Sequence, residues 1–396
     1  MRGDELLEKM ELVDPAYVEA ADAPRTKRRA RWSKWGAAAC AAMLVVAVLA
    51  VTVLPRNEES SSLSSDAAQQ QAQEGASLPI LTISEGSNQG MGFEGYMAYD
   101  VSEIISANPW TEDSQISELP VYKNPLEYEN GRFGMLCGGI DFEKMREQLL
   151  NVAGRVGLNT EQLEITDDVD RQLVVKDKGM QLSITPDMTT EINFYRAATL
   201  PEKYSFNKQA TEDELLEAAD YLQETYSALI DFESPQVELV GGDYFYDGRR
   251  SFRYVSFFDA SGSAEEAIIH YNFDRVNFML YDCGYLTSVY VSATDRSQKV
   301  GDYPLITAEE AKEKLAAGYY KSTVPAEFPG LDYVARTELV YRTGNREEYF
   351  MPYYKFLVEI PEMAQDNGLK NYGAFYVPAV EEEYLSDQIV WDGRFN

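Results

Sequence analysis

Beyond residue 78 the chain alternates apolar and polar positions, with frequent aromatic and β-branched side chains, which predicts antiparallel strands. Three stretches interrupt this at helical spacing. The first runs from Asp141, a suitable N-cap, through Phe142, Met145, Leu149, Val152 and Val156 to a stop at Gly157. The second opens with a capping box, Thr211 and Glu214, and places Leu215, Ala218, Leu222, Tyr226 and Leu229 on one face. The third pairs Thr307 with Glu310 ahead of Ala311 and Leu315 and ends at Gly318. Strands are predicted over 237–240, 244–246, 252–258, 267–271 and 286–291, and again over 337–341, 353–359 and 374–377, with turns at Asp247-Gly248 and Thr343-Gly344-Asn345. The expected fold class is α+β: an N-terminal transmembrane helix, then an ectodomain of two or three helix-on-antiparallel-sheet units, at 79–200, 201–299 and 300–396.

The front of the chain follows a different pattern. Residues 36–54 are uncharged and apolar, and their 19 positions would span about 28 Å as a helix, close to the thickness of a bilayer core. Arg25, Lys27, Arg28, Arg29, Arg31 and Lys34 precede them, and Trp32 and Trp35 suit the interface. The basic cluster predicts a single-pass protein of the cell membrane, with residues 1–35 cytoplasmic and the C-terminal domain extracellular. About 35 residues ahead of the apolar core favour an uncleaved anchor over a signal peptide cleaved near Ala50. Cys40 stands near the start of the run, not after its end as a lipoprotein cysteine would. Before the basic cluster, Leu6, Leu7 and Met10 share one side of a short helix, and Asp14-Pro15 opens another turn carrying Tyr17 and Val18. These five residues are candidate contacts for a cytosolic partner; the alternative is a tail that only displays topogenic charge. Residues 55–78, rich in Ser, Gln, Ala and Glu, read as a flexible linker.

Charge narrows the partners. The formal net charge is −31, and residues 1–35 are nearly balanced, so almost all of the negative charge lies on the rest of the chain. A surface this acidic repels nucleic acid, and no nucleic-acid partner is expected. With 27 Tyr and 17 Phe the ectodomain has ample material for a core without a disulfide framework. Cys137 and Cys283 are a candidate disulfide pair that would join distant parts of the chain.

Motifs for chemistry are sparse. His270 is the single histidine, and neither a GxSxG motif nor a cysteine-protease signature accompanies it, so no catalytic residue is assigned. One histidine excludes the multi-histidine zinc and iron sites, and neither a metal site nor a cofactor is expected. The run Asp167-Asp168-Val169-Asp170 lacks the spacing and glycine of an EF-hand loop and reads as a solvated turn. Carboxylates are plentiful, which leaves glycoside hydrolysis by an Asp/Glu pair open. The aromatic runs 243–246 and 349–354 suit stacking on a sugar or a peptide, or ordinary core.

Residues 303–315 (Tyr-Pro-Leu-Ile-Thr-Ala-Glu-Glu-Ala-Lys-Glu-Lys-Leu), followed by Glu338-Leu-Val-Tyr341 and the strand 353–359, resemble PepSY-like domains and the extracytoplasmic domains of YycH/YycI-type regulators. The first 54 residues, with Glu5-Leu-Leu7, Tyr17-Val-Glu-Ala20 and Trp35-Gly-Ala-Ala, are similar to the start of single-pass Gram-positive proteins, some of them anti-sigma-factor-like. Residues 1–35 hold neither the histidine nor the Cys-x-x-Cys pair of a zinc-dependent anti-sigma domain. The resemblance implies a non-catalytic regulator, with a sigma factor or histidine kinase as cytosolic partner and a peptide or wall ligand outside. The rival from another class is a tethered cell-envelope hydrolase using paired carboxylates.

Overall fold

A computed structural model of the 396-residue chain describes residues 77–83, 94–129, 135–167, 171–177, 179–204, 206–281, 284–344 and 347–393. Eighteen strands and five α-helices follow one another along them. In chain order the strands are β1 (Gly95–Ala98), β2 (Glu118–Lys123), β3 (Glu127–Tyr128), β4 (Leu136–Gly138), β5 (Thr166–Asp167), β6 (Leu173–Asp177), β7 (Met180–Ile184), β8 (Thr189–Thr199) and β9 (Pro235–Gly241). There follow β10 (Arg253–Asp259), β11 (Asp274–Tyr281), β12 (Tyr285–Ala293), β13 (Lys299–Pro304), β14 (Lys321–Ser322), β15 (Val334–Tyr341), β16 (Tyr349–Phe350), β17 (Pro352–Glu359) and β18 (Lys370–Pro378). The helices are α1 (Phe142–Arg155), α2 (Glu212–Thr225), α3 (Ser227–Ile230), α4 (Ala264–Phe273) and α5 (Ala308–Ala316).

Two antiparallel sheets dominate. The larger has eight strands in the order β5-β6-β7-β8-β12-β11-β10-β9, and the other runs β1-β18-β17-β15 with β14 paired to β18. A three-stranded sheet, β13-β2-β16, and the pair β3-β4 complete the set. Residues from Gly75 onward form one compact unit. Strand alternation sends one side chain of each successive pair to a helix-covered core. On the eight-stranded sheet Leu182, Ile192, Phe257, Phe278 and Val289 pack with Leu149 and Val152 of α1 and Leu215 and Leu222 of α2. On the five-stranded sheet Leu339, Tyr354, Phe356, Phe375 and Val377 pack with Ala311 and Leu315 of α5, with Trp110, and with Leu119 of β2.

Side-chain caps start four of the five helices among the described residues, α3 being the exception. Asp141 accepts from the amides of Glu143 and Lys144, and capping boxes at Thr211/Glu214 and Thr307/Glu310 begin α2 and α5. The hairpin loop between β9 and β10 closes on Gly248, whose φ of +78° suits glycine and whose amide donates to Phe245 O at 2.8 Å.

Several expectations are corrected. Residues 267–271, read as a strand from the run Ala-Ile-Ile-His-Tyr, lie inside α4, which has its own capping box at Ser263 and Glu266. Ala267, Ile268 and Phe273 are buried and the residues between them are half-buried, so the helix is covered on several sides and shows no amphipathic period. The strand expected at 244–246 is reduced to an isolated bridge between Tyr244 and Arg250. The α+β class of repeated helix-on-sheet units gives way to a mostly antiparallel-sheet structure with few helices, because one continuous sheet takes strands from 166 to 293. The single-pass membrane placement is also corrected: among the described residues no helix is long and apolar enough to cross a membrane, and residues 36–54 lie outside them.

Replacing Phe257, fully buried and 5.8 Å edge-to-face from Phe278, by Ala is expected to cost about 3–5 kcal/mol, against about 1 kcal/mol for Thr211→Ala at a helix cap, both read from urea unfolding. Tyr303 donates to Pro79 O and Tyr354 to Ile306 O, each at 2.9 Å, and burial pushes both phenols up to about 12 from 10.0. The folded chain thus keeps protons that the unfolded chain releases, so this stability is complete below pH 10 and is lost as pH rises from 10 toward 12. Urea midpoints are expected to fall above pH 10, and less steeply for Tyr354→Phe.

Candidate functional site

Each large sheet turns its second face toward the other, and both faces carry charged and polar side chains among apolar ones such as Met279 and Leu357. Across the eight-stranded sheet one register row reads Glu191, Tyr290, Asn277, Ser256, Glu238 through β8, β12, β11, β10 and β9. Tyr290 donates to Glu191 Oε1 at 2.7 Å, and Ser256 Oγ lies 2.5 Å from Asn277 Oδ1. Across the five-stranded sheet a second row reads Glu338, Lys355, Tyr376, Lys321 through β15, β17, β18 and β14. Between the rows lies a cleft of ≈ 490 Å³, lined from both walls and by the segment Ile104–Ser106.

Glu238 is the hub of the larger wall. Its carboxylate pairs with the Arg275 guanidinium, accepts from Tyr271 OH at 2.8 Å and accepts from the amide of Ala107 at 3.2 Å. Arg275 also donates through Nε to Ser256 Oγ at 2.8 Å and through Nη1 to Tyr271 O at 3.2 Å, and it stacks over the Tyr271 ring at 4.7 Å. α4 ends at Phe273, which puts Tyr271 and, one step into β11, Arg275 at the same end of the cleft. Arg275 further lines a second cavity of ≈ 160 Å³ beside Asp295 and Phe350.

The opposite wall is less fully paired. Glu338 meets Arg336 at 3.7 Å and Lys355 meets Glu94 at 3.8 Å, both longer than hydrogen bonds. Arg336 is itself tied to the carbonyl of Ile104 at 2.6 Å, and Tyr376 donates to Glu94 Oε2 at 2.6 Å. Burial alone would lower the Lys355 ammonium, but Tyr376, Glu94, Tyr96 and Glu338 around it outweigh that and hold it well above its ordinary value, so it is charged. Burial pushes the Tyr96 phenol up to about 12, and it also raises Tyr254 and Tyr271, so the cleft's tyrosines are neutral donors at physiological pH. The same face continues to Arg342, only 1 % exposed, whose Nε donates to Glu347 Oε1 at 2.9 Å beneath Tyr353 and Tyr376.

No family model matches the chain, and no curated protein matches its sequence. The residues quoted for the PepSY-like resemblance lie in β13, α5, β15, β17 and the turn between β13 and α5, and no matching family supports that resemblance.

Of the residues singled out from sequence, Leu6, Leu7, Met10, Tyr17, Val18 and Cys283 lie outside the described residues, as do 168–170 of the acidic turn. Cys137 is an exposed free thiol in β4, its Sγ 3.3 Å from Glu127 O. His270 hydrogen-bonds through Nδ1 to Asp274 Oδ2 at 2.8 Å, and Arg296 holds the same carboxylate at 2.8 and 3.1 Å, which makes an ion-pair cluster at the α4–β11 junction. Among the described residues no group of three or more His, Cys, Asp or Glu side chains gathers as a metal site. Asp243 lines the cleft, and Tyr353 and Tyr354 point to opposite faces of β17. Glu238, Arg275, Glu338 and Lys355 were not anticipated. Their signal was a charge set inside an apolar strand, as in Val237-Glu238-Leu239 and Tyr354-Lys355-Phe356.

Arg275→Ala leaves the Glu238 carboxylate buried without its counter-charge and is expected to cost about 3–5 kcal/mol in urea unfolding. The double replacement Glu238→Leu with Arg275→Met is expected to recover most of that loss.

Proposed function

We propose that this protein is a non-catalytic binding protein with a regulatory role, and that the cleft between its two sheets holds a small polar ligand. The observation that carries this is the convergence of charged side chains from two sheet faces on one cleft, in a chain whose opposite sheet faces already supply both large cores. Sheets packed for stability alone bring apolar faces together, and burying charge costs free energy unless each group is paired. A cleft of ≈ 490 Å³ lined by convergent charged groups and tyrosines has the size and character of a small-molecule site. A paired-carboxylate hydrolase would have to draw on Asp243 and Glu338, since Glu238 is committed to Arg275, Tyr271 and the amide of Ala107.

Thermal and urea unfolding of the full chain with amino acids, sugars, small carboxylates and phosphate as probes tests this reading. A solute that occupies the cleft is expected to stabilise the fold by about 2.7 kcal/mol at a hundred times its Kd. Met279→Trp, which fills the cleft from the larger wall, is expected to abolish the effect. Stabilisation that survives Met279→Trp, or none with any probe, overturns the proposal; conversion of a probe, seen by mass spectrometry, replaces it with the hydrolytic reading.

A further inference from the structure

Glu338 and Lys355 are register partners on β15 and β17, side by side on the face that lines the cleft. Glu338 is only 8 % exposed, yet it makes no hydrogen bond among the described residues, and neither does the Lys355 ammonium. Nor do the two pair with each other: Glu338 is nearest Arg336 on its own strand, and Lys355 is nearest Glu94. An acceptor and a donor of opposite charge are thus presented together, both largely desolvated and both with unused hydrogen-bonding capacity. That capacity is open to whatever occupies the cleft, water or a ligand.

We infer that the cleft recognises a free α-amino acid, Glu338 receiving its ammonium and Lys355 its carboxylate; this rests on the binding reading above and names its ligand class. Directly opposed residues on paired strands have Cβ atoms about 4.5–5.5 Å apart, which suits two charged groups borne on one carbon. Among the ionisable side chains at the cleft, Glu238, Asp243 and Glu338 stand against Arg275, Arg336 and Lys355, with Glu94 beside Lys355. A zwitterion adds no net charge to that set, whereas a phosphate or a dicarboxylate adds uncompensated negative charge. A neutral sugar would meet the two charges with dipoles alone, and charge-assisted hydrogen bonds are roughly twice as strong as neutral ones. Tyr96, Tyr254, Met279 and Leu357 supply an apolar and aromatic lining for the ligand's side chain, so a large apolar or aromatic amino acid is the best fit.

Calorimetric titration of the full chain with each common free amino acid, with the N-acetyl and methyl-ester forms of any that binds, and with glucose and N-acetylglucosamine tests the inference. At least one free amino acid is expected to bind. Blocking its ammonium or its carboxylate is expected to weaken binding about thirtyfold or more, as are Glu338→Gln and Lys355→Met. The blocked ligands read this on the unaltered protein, so the result does not depend on how the variants fold. Equal binding of the blocked forms overturns the inference. Binding of a sugar but of no amino acid, lost in Met279→Trp, overturns it while the cleft remains a binding site; no binding by any probe removes both.

Discussion

A β-sheet has two faces, and in this protein each large sheet has given its apolar face to helices. The eight-stranded sheet buries Phe257 and Phe278 beneath α1 and α2, and the five-stranded sheet buries Phe356 and Phe375 with α5 and Trp110. What remains to meet between the sheets carries most of the cleft's charge, set among apolar residues such as Met279 and Leu357. Everything about the cleft follows from that arrangement, since charged groups held between two sheets must be paired, solvated or matched by a ligand.

The two walls answer that demand differently. On the larger wall, Glu238 and Arg275 are saturated by each other and by Tyr271, Ser256 and the chain at Ala107, a network that fixes side-chain positions rather than offering them. On the smaller wall, Glu338 and Lys355 are held by contacts at 3.7 and 3.8 Å, too long for direct hydrogen bonds. One wall is a scaffold and the other presents groups. Hydrogen bonds from neighbouring elements to the five-stranded sheet help hold this geometry: Tyr244 N, in the β9–β10 loop, donates to Met97 O at 2.8 Å, Asn272 Oδ1 of α4 accepts from Tyr341 N at 3.0 Å, and Asn108 Nδ2, ahead of β2, donates to Leu339 O at 3.1 Å.

α4 joins these parts. Its capping box at Ser263 and Glu266 starts it, Ile268 and Phe273 anchor it in the core of the five-stranded sheet, and Tyr271 and Arg275 leave its end toward the cleft. Its last turn also carries His270, clamped with Asp274 and Arg296, so the helix-to-strand junction is held by charge as well as by packing. A helix in this place converts two separately packed sheets into one unit with a shared polar interior.

Local signals in the sequence determined much of the secondary structure. The caps at Asp141, Thr211 and Thr307, the turn at Asp247-Gly248 and the alternating strands of the C-terminal third are matters of neighbouring residues, and neighbouring residues suffice to read them. α4 was not legible, because a helix buried on several sides has no polar stripe and its Ala-Ile-Ile run carries strand propensity. The cleft was legible only as charges lodged in apolar strands. Its residues come from positions as far apart as Tyr96 and Leu357, and which strand faces meet across it depends on register and sheet order. Tertiary structure alone decides that, because alternation along a strand says that its two faces differ but not what each face will meet.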